Sequence, residues 1–192
     1  YRAFQNFTTG SSNVAIGDYA LTATTTGGQN VGIGESALGG NTTGSLNEVI
    51  GAGAKDQSIS GSRNVALGFW ADRGDTSGNN NVTIGHVASY FNSSRSNIVA
   101  VGDSALYQNG SGVAFANTLN GLRNTAVGSA SLRFNTNGYN NTAIGYNALY
   151  SPNSGISNTA VGSSALRNGS GTGNTGVGDS ALYTNAAGSR NT

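Results

Sequence analysis

One short motif returns ten times along the chain, and its spacing constrains the fold more than any other feature. The motif reads Asn, any residue, a small residue, an aliphatic residue and Gly. Seven of the nine intervals between closing glycines are 17 residues long, and the other two are 26 and 16. A sustained period of this length is typical of proteins in which each repeat stacks on its neighbours. We therefore expect function to lie along a surface. The closing glycines are Gly17, Gly34, Gly51, Gly68, Gly85, Gly102, Gly128, Gly145, Gly162 and Gly178.

The residue before each closing glycine predicts short β-strands. It is aliphatic and branched in all ten copies, and β-branched in nine, which suits a pleated surface. Helices are disfavoured because glycine recurs every few residues and costs about 1 kcal/mol each in a helix interior. We predict an all-β fold, a parallel β-solenoid of about ten 17-residue coils, in a single repeat domain over residues 1–192. The column contains Ile16, Ile33, Ile50, Leu67, Ile84, Val101, Val127, Ile144, Val161 and Val177.

A column of small residues precedes the aliphatic column and predicts contact between chains. Strand alternation turns the two columns to opposite faces. We expect the aliphatic residue and a following Leu to fill the core of each chain, because they form regular apolar columns. One aliphatic residue and one Leu per coil make a thin core for a lone chain. We therefore predict a homotrimer in which three chains pack their Ala and Gly columns around a common axis.

The remaining columns are assigned to the scaffold. The motif Asn is either a rung of a hydrogen-bonded amide ladder or a turn residue in the left-handed conformation. A second glycine stands three residues before the Asn, where we expect a turn with positive φ, and Arg95 interrupts this column once. The residues given a structural role are Asn13, Ile16, Gly17, Asn141, Ile144, Gly145, Ala148 and Leu149.

The motif strings resemble the repeats of known surface fibres. Asn-Val-Ala-Ile-Gly stands at 13–17, Asn-Thr-Ala-Val-Gly at 124–128 and 158–162, and Asn-Thr-Ala-Ile-Gly at 141–145. These strings resemble the head repeats of YadA-type trimeric autotransporter adhesins and the repetitive shafts of phage and giant-virus tail fibres. The resemblance implies a left-handed β-roll, a homotrimer, and an extracellular place on a cell surface or virion for attachment to a host or matrix. The period is longer than in the adhesin heads, which favours the fibre-like branch.

Departures from the period supply the candidate contact residues for a partner, which we expect to be a host surface glycan or protein. Five residues after the closing glycine, the second half of the chain carries only Tyr and Arg, two types that dominate binding hot spots. This column is interpreted either as a binding stripe or as packing over the Leu column or between subunits. Phe69 and Trp70 form either an exposed contact or a local plug. The irregular insertion around 108–120, which includes Phe115, is either a recognition loop or a tolerated bulge. The column residues are Tyr90, Tyr107, Arg133, Tyr150, Arg167 and Tyr183.

Composition excludes several classes of function. Nine Lys plus Arg balance eight Asp plus Glu, so the basic stripe that nucleic acid demands is missing. With one histidine, His86, and no cysteine, neither a Ser-His-Asp triad nor a thiolate metal site can form, and we predict no enzyme activity, cofactor or metal. The Asp72 and Asp75 pair is not supported as a sugar-cleaving site. The chain lacks the run of about 18 apolar residues expected of a membrane span.

Three further expectations concern the whole chain. It starts at Tyr1 and ends on the beginning of another motif, so we expect it to be a piece of a longer protein. One alternative function is a monomeric solenoid that binds ice or another surface, prompted by Thr125, Thr142, Thr159 and Thr175. The earlier copies of the motif carry Val or Glu after the Asn, so the row of threonines covers only part of the solenoid. The other alternative is a purely structural spacer.

Overall fold

A computed structural model describes residues 2–110, 120–152 and 154–192, and within these ranges the chain is an all-β parallel solenoid of about nine turns. This confirms the predicted fold class. Ten strands of three residues form one parallel sheet, and two strands of two residues form a second. The strands are β1 (Val14–Ile16), β2 (Val31–Ile33), β3 (Glu48–Ile50), β4 (Val65–Leu67), β5 (Val82–Ile84), β6 (Val99–Val101), β7 (Gln108–Asn109), β8 (Thr125–Val127), β9 (Phe134–Asn135), β10 (Thr142–Ile144), β11 (Thr159–Val161) and β12 (Thr175–Val177).

Equivalent motif positions pair directly along the ten-stranded sheet. Ile144 pairs with Val161, and the same register holds between the other neighbouring strands. The 26-residue interval leaves this register intact, because β6 pairs directly with β8 and Val101 lies beside Val127. The small sheet joins β7 to β9 across the same interval. Residues 111–119 of the predicted insertion, including Phe115, lie outside the described residues.

The faces of the strands are the reverse of the prediction. Ala143 and its equivalents are buried inside the coil, except for the partly buried Ala15 of the first strand, whereas Ile16 is 58% exposed and Ile144 is 41% exposed. The coil is narrow, and the inward strand position faces the Leu and the backbone across it. A Cβ added at Gly32 would lie 3.1 Å from the Ala37 carbonyl oxygen and 3.2 Å from Leu21 Cγ. Small residues therefore stand inside, and the expectation that they face another chain was wrong.

Inward-pointing Ala and Leu side chains form the core. Leu149 is fully buried, as are most residues of its column, and Ala148 is buried beside it. The buried apolar residues fall into two clusters, one extending up to Ala71 and the other starting at Ala88. Polar residues occupy three successive positions of the Leu column between the clusters. These residues are Lys55, Asp72 and Ser89, and all are fully buried.

The motif asparagines form the predicted amide ladder. Asn141 Nδ2 donates to Gly155 O at 2.7 Å and to Asn124 Oδ1 at 3.3 Å. Asn141 Oδ1 accepts a hydrogen bond from the backbone N–H of Asn158 at 2.9 Å. Buried backbone groups therefore find partners through side chains from the neighbouring coil. The ladder, one of the two interpretations of this column, is confirmed.

The two glycine columns serve different purposes. The closing glycines have positive φ, such as +133° at Gly145. The second column, apart from Gly121, has no positive φ, so the predicted turn there was wrong. A Cβ at Gly27 would instead lie 2.3 Å from the Gly44 carbonyl oxygen of the next coil. Close stacking of backbones excludes a side chain at this position.

Candidate interaction surfaces

The first surface is the outward side of the ten-stranded sheet, here called the sheet face. It consists of the first and third side chains of each strand in that sheet, and none of them is buried. Exposed fractions reach 58% at Ile16, 45% at Ile50 and 68% at Val177. Glu48 is the one charged residue among these positions. A contiguous apolar face of this kind marks a surface for interaction.

The four motif threonines lie within the sheet face. Thr142 pairs with Thr125 on one side and with Thr159 on the other, in register. The same column carries Val99 in the preceding strand, which pairs with Thr125. The threonines therefore continue a column of valines across the last four strands of the sheet.

The second surface is the Arg–Tyr ladder, formed by the column residues that the sequence singled out together with Arg73 and Asp56. Arg73 donates to the hydroxyl of Tyr90 at 2.7 Å and makes an ion pair with Asp56 at 3.1 Å. Its hydrogen bonds to Tyr90 and Asp56 raise the pKa of Arg73, despite some burial. The rings of Tyr90 and Tyr107 then stack, with their centroids 5.5 Å apart.

The ladder continues through cation–π contacts in the second half of the chain. The Arg133 guanidinium lies 5.5 Å from the ring centroid of Tyr107. Arg167 lies 4.7 Å from the ring of Tyr150 and 5.7 Å from that of Tyr183. Such contacts contribute about 0.5–1 kcal/mol each at exposed sites. These side chains therefore contact one another between coils of one chain. Part of each side chain is already engaged in contacts within the chain.

The third surface, here called the aromatic patch, consists of Phe69, Trp70 and His86. The Phe69 and Trp70 centroids are 4.4 Å apart, and Phe69 stacks on His86 at 5.7 Å. Phe69 is 44% exposed and Trp70 is 38% exposed. Trp70 covers Gly53, where an added Cβ would lie 2.3 Å from the indole ring. Arg73 lies 5.2 Å from the Trp70 ring and connects this patch to the Arg–Tyr ladder.

A shallow groove adjoins the aromatic patch. Its lining includes Phe69 and Trp70 together with the carboxylates of Glu35 and Asp56. Burial raises the pKa of Asp56, although Arg73 partly opposes this effect. Aromatic rings offer flat apolar surfaces, and carboxylates accept hydrogen bonds from hydroxyl groups. The groove therefore combines the two features that polyhydroxylated ligands require.

One cluster of buried charged residues was not predicted from the sequence. Lys55 Nζ lies 3.0 Å from Asp72 Oδ2 and 2.5 Å from Asp75 Oδ2, and all three side chains are fully buried. The two acids had been considered only as a sugar-cleaving pair. The sequence does contain a sign of this cluster, because Lys55 is the only lysine of the chain and stands in a column otherwise rich in Leu.

Over 2–110, 120–152 and 154–192, no group of three or more His, Cys, Asp or Glu residues could hold a metal ion. In the same part of the chain, no helix has the length and hydropathy needed to cross a bilayer. Comparisons with protein-family models, curated proteins and solved structures found no match to this chain.

Proposed function

We propose that the chain is a segment of a homotrimeric fibre or adhesin, displayed on a cell surface or virion, that serves attachment to a host or matrix. The observation that carries the proposal is the sheet face, a stripe of partly or fully exposed and mainly aliphatic side chains along the ten-stranded sheet. A rod that exposed this stripe to water would associate with other surfaces. Packing three copies along it removes the stripe from water and stiffens the rod.

The choice of three copies and of a left-handed coil rests on the resemblance to adhesin heads and tail-fibre shafts. The sheet face replaces the Ala and Gly column as the proposed contact between chains, because those small residues are buried inside each coil. An interface of Val, Ile and Thr matches the apolar character of obligate interfaces.

Attachment is assigned to the aromatic patch and its groove, which lie off the sheet face. Phe69 and Trp70 keep a substantial part of their surface exposed. Aromatic residues with large exposed rings are common anchors at binding surfaces. The class of partner proposed is a surface glycan, because the groove adds two carboxylates to the rings.

Light scattering on the purified chain tests the assembly. We expect a mass three times the 19.2 kDa of one chain. Ile144→Glu places a charge in the sheet face and should dissociate the trimer, because three buried carboxylates would meet without partners.

Ile59→Glu is the matched control, because Ile59 is 53% exposed but lies outside the strands. This variant should remain trimeric. A stable monomer for the parent chain, or equal behaviour of the two variants, would contradict the proposed assembly.

A further inference from the structure

The buried Lys55 cluster is an unusual use of core positions. Lys55 and Asp72 occupy neighbouring coils at the position that Leu38 and Leu106 fill elsewhere, with no exposure to water. A buried ion cluster is seldom more stable than apolar residues of similar volume. Leucines fit this column in other coils, so packing alone does not account for an amine and two carboxyl groups here.

The two carboxyl groups have different surroundings. Asp75 accepts hydrogen bonds from the Gly78 backbone N–H at 2.7 Å and from Asn81 Nδ2 at 3.3 Å. Asp72 Oδ1 accepts one from Asn92 Nδ2 at 3.1 Å. Burial raises the pKa of Asp72 to about 7, so a large fraction is protonated at neutral pH. Asp72 is therefore the electrophilic carboxyl and Asp75 the base.

We propose that Lys55 and Asp72 react within the folded chain to form an intramolecular isopeptide bond, with Asp75 accepting a proton from the amine. The geometry supports this assignment. Lys55 Nζ is in hydrogen-bond contact with both carboxyl groups, and the contact with Asp75 is the shorter at 2.5 Å. Reacting groups held this close in a buried site gain from proximity and fixed orientation.

The steps balance as follows. The Lys55 ammonium transfers one proton to the Asp75 carboxylate, and the neutral amine then attacks Cγ of the protonated Asp72. The Asn92 amide donates to the oxygen on which negative charge develops. The nitrogen loses a second proton, which joins the departing Asp72 hydroxyl to leave as water. The third proton stays on the amide nitrogen, and Asp75 ends protonated.

Proton transfer to Asp75 is the necessary first step because the amine starts charged. Burial lowers the pKa of Lys55, but the neighbouring Asp72 and Asp75 outweigh burial and raise it overall. A base in direct contact with Nζ removes this obstacle. The product joins two adjacent coils covalently and eliminates an ion pair from the core. This inference does not depend on the proposed trimer or on attachment.

Intact mass spectrometry of the denatured full chain tests the bond. We expect a mass lower than the sequence mass by about 18 Da, the loss of one water. A mass equal to that of the sequence after prolonged incubation of the folded protein would overturn the proposal.

Tryptic mapping identifies the linked residues, because Arg73 separates the two acids in sequence. An amide at Lys55 blocks cleavage there, so residues 3–63 should remain one peptide, joined to residues 64–73 through Asp72. A link to residues 74–95 would show that Asp75 is the acceptor and would overturn the assignment of roles. Cleavage after Lys55 with an unlinked 64–73 peptide would overturn the bond itself.

The matched variant is Asp75→Asn. Asn occupies the equivalent position in the next coil at Asn92 and two coils earlier at Asn41, so this variant should fold. It removes the base while keeping Lys55 and Asp72, and we expect it to retain its full sequence mass. Water loss by this variant at the rate of the parent would overturn the role of Asp75.

Discussion

At the scale of single residues, the closing glycines meet two separate demands. Their φ values, +133° at Gly145 and +124° at Gly178, lie in a region that side chains rarely adopt. They also stack closely, since a Cβ at Gly145 would lie 2.4 Å from the Gly162 carbonyl oxygen. Gly178 has no atom within 4 Å of the equivalent point. Both positions therefore impose backbone strain on a side chain, but only Gly145 also imposes a steric clash.

Alanine substitution at these two glycines should have unequal effects. Gly178→Ala should cost about 1–3 kcal/mol, the usual range for a strained backbone conformation. Gly145→Ala should cost more, because its Cβ also meets the next coil. Denaturant midpoints measured at equal protein concentration check this prediction. Equal losses for the two variants would mean that close stacking contributes nothing at this column.

At the scale of strands and turns, three-residue strands place one side chain inward and two outward. Each strand of the large sheet therefore turns one residue, usually small, toward the inside of the coil and adds two residues to the sheet face. The turn after β4 differs from the others in carrying Phe69 and Trp70, whose rings contact each other. Tyr146 occupies the same position after its own closing glycine as Phe69 does, and it is 60% exposed.

Removing the aromatic patch should abolish attachment. Phe69→Ala with Trp70→Ala removes both rings, and loss of such anchors costs about 2 kcal/mol or more in binding free energy. Binding of the fluorescently labelled assembly to a glycan array is the measurement. Tyr146→Ala is the control and should bind like the parent. Unchanged binding by the double variant would contradict the assignment of this patch.

At the scale of the whole molecule, the apolar core of the described residues is interrupted at the Lys55 cluster. Stability in a solenoid is approximately a sum over repeats and their contacts, so a break in the core acts locally. Lys55 fills a Leu position with an amine that both acids contact, and no apolar cluster includes these three residues. Removing the amine alone would leave two buried acids without a cationic partner.

Lys55→Leu should therefore be strongly destabilised relative to the triple variant Lys55→Leu, Asp72→Leu and Asp75→Asn. We expect a difference of about 3–5 kcal/mol, the usual cost of an unpaired buried charge. Both variants lack lysine, so neither can contain an isopeptide bond. Fluorescence of Trp70, the only tryptophan, reports unfolding in urea. A single variant as stable as the triple one would show that the acids need no cationic partner.

Much of the architecture could be predicted because the same residue pattern recurs in every copy of the repeat. The period and the branched column predicted parallel strands, and the motif asparagines predicted an amide ladder that Asn141 and its neighbours form. The contacts of Phe69, Trp70 and Arg73 could not be predicted. They depend on how far each coil rises and rotates over the last, which a single repeat does not encode.

The sequence by itself determined the solenoid, its period and the chemical type of each column, because every column is repeated about ten times. Only the tertiary structure decided which side of the strand is the inside. Alternation places Ala143 and Ile144 on opposite faces but does not say which face is enclosed. The narrow coil decides this, since a Cβ at the inward Gly32 would already lie 3.2 Å from Leu21 Cγ across the coil. The same closure brings Lys55, Asp72 and Asp75 together in a space with no exposure to solvent.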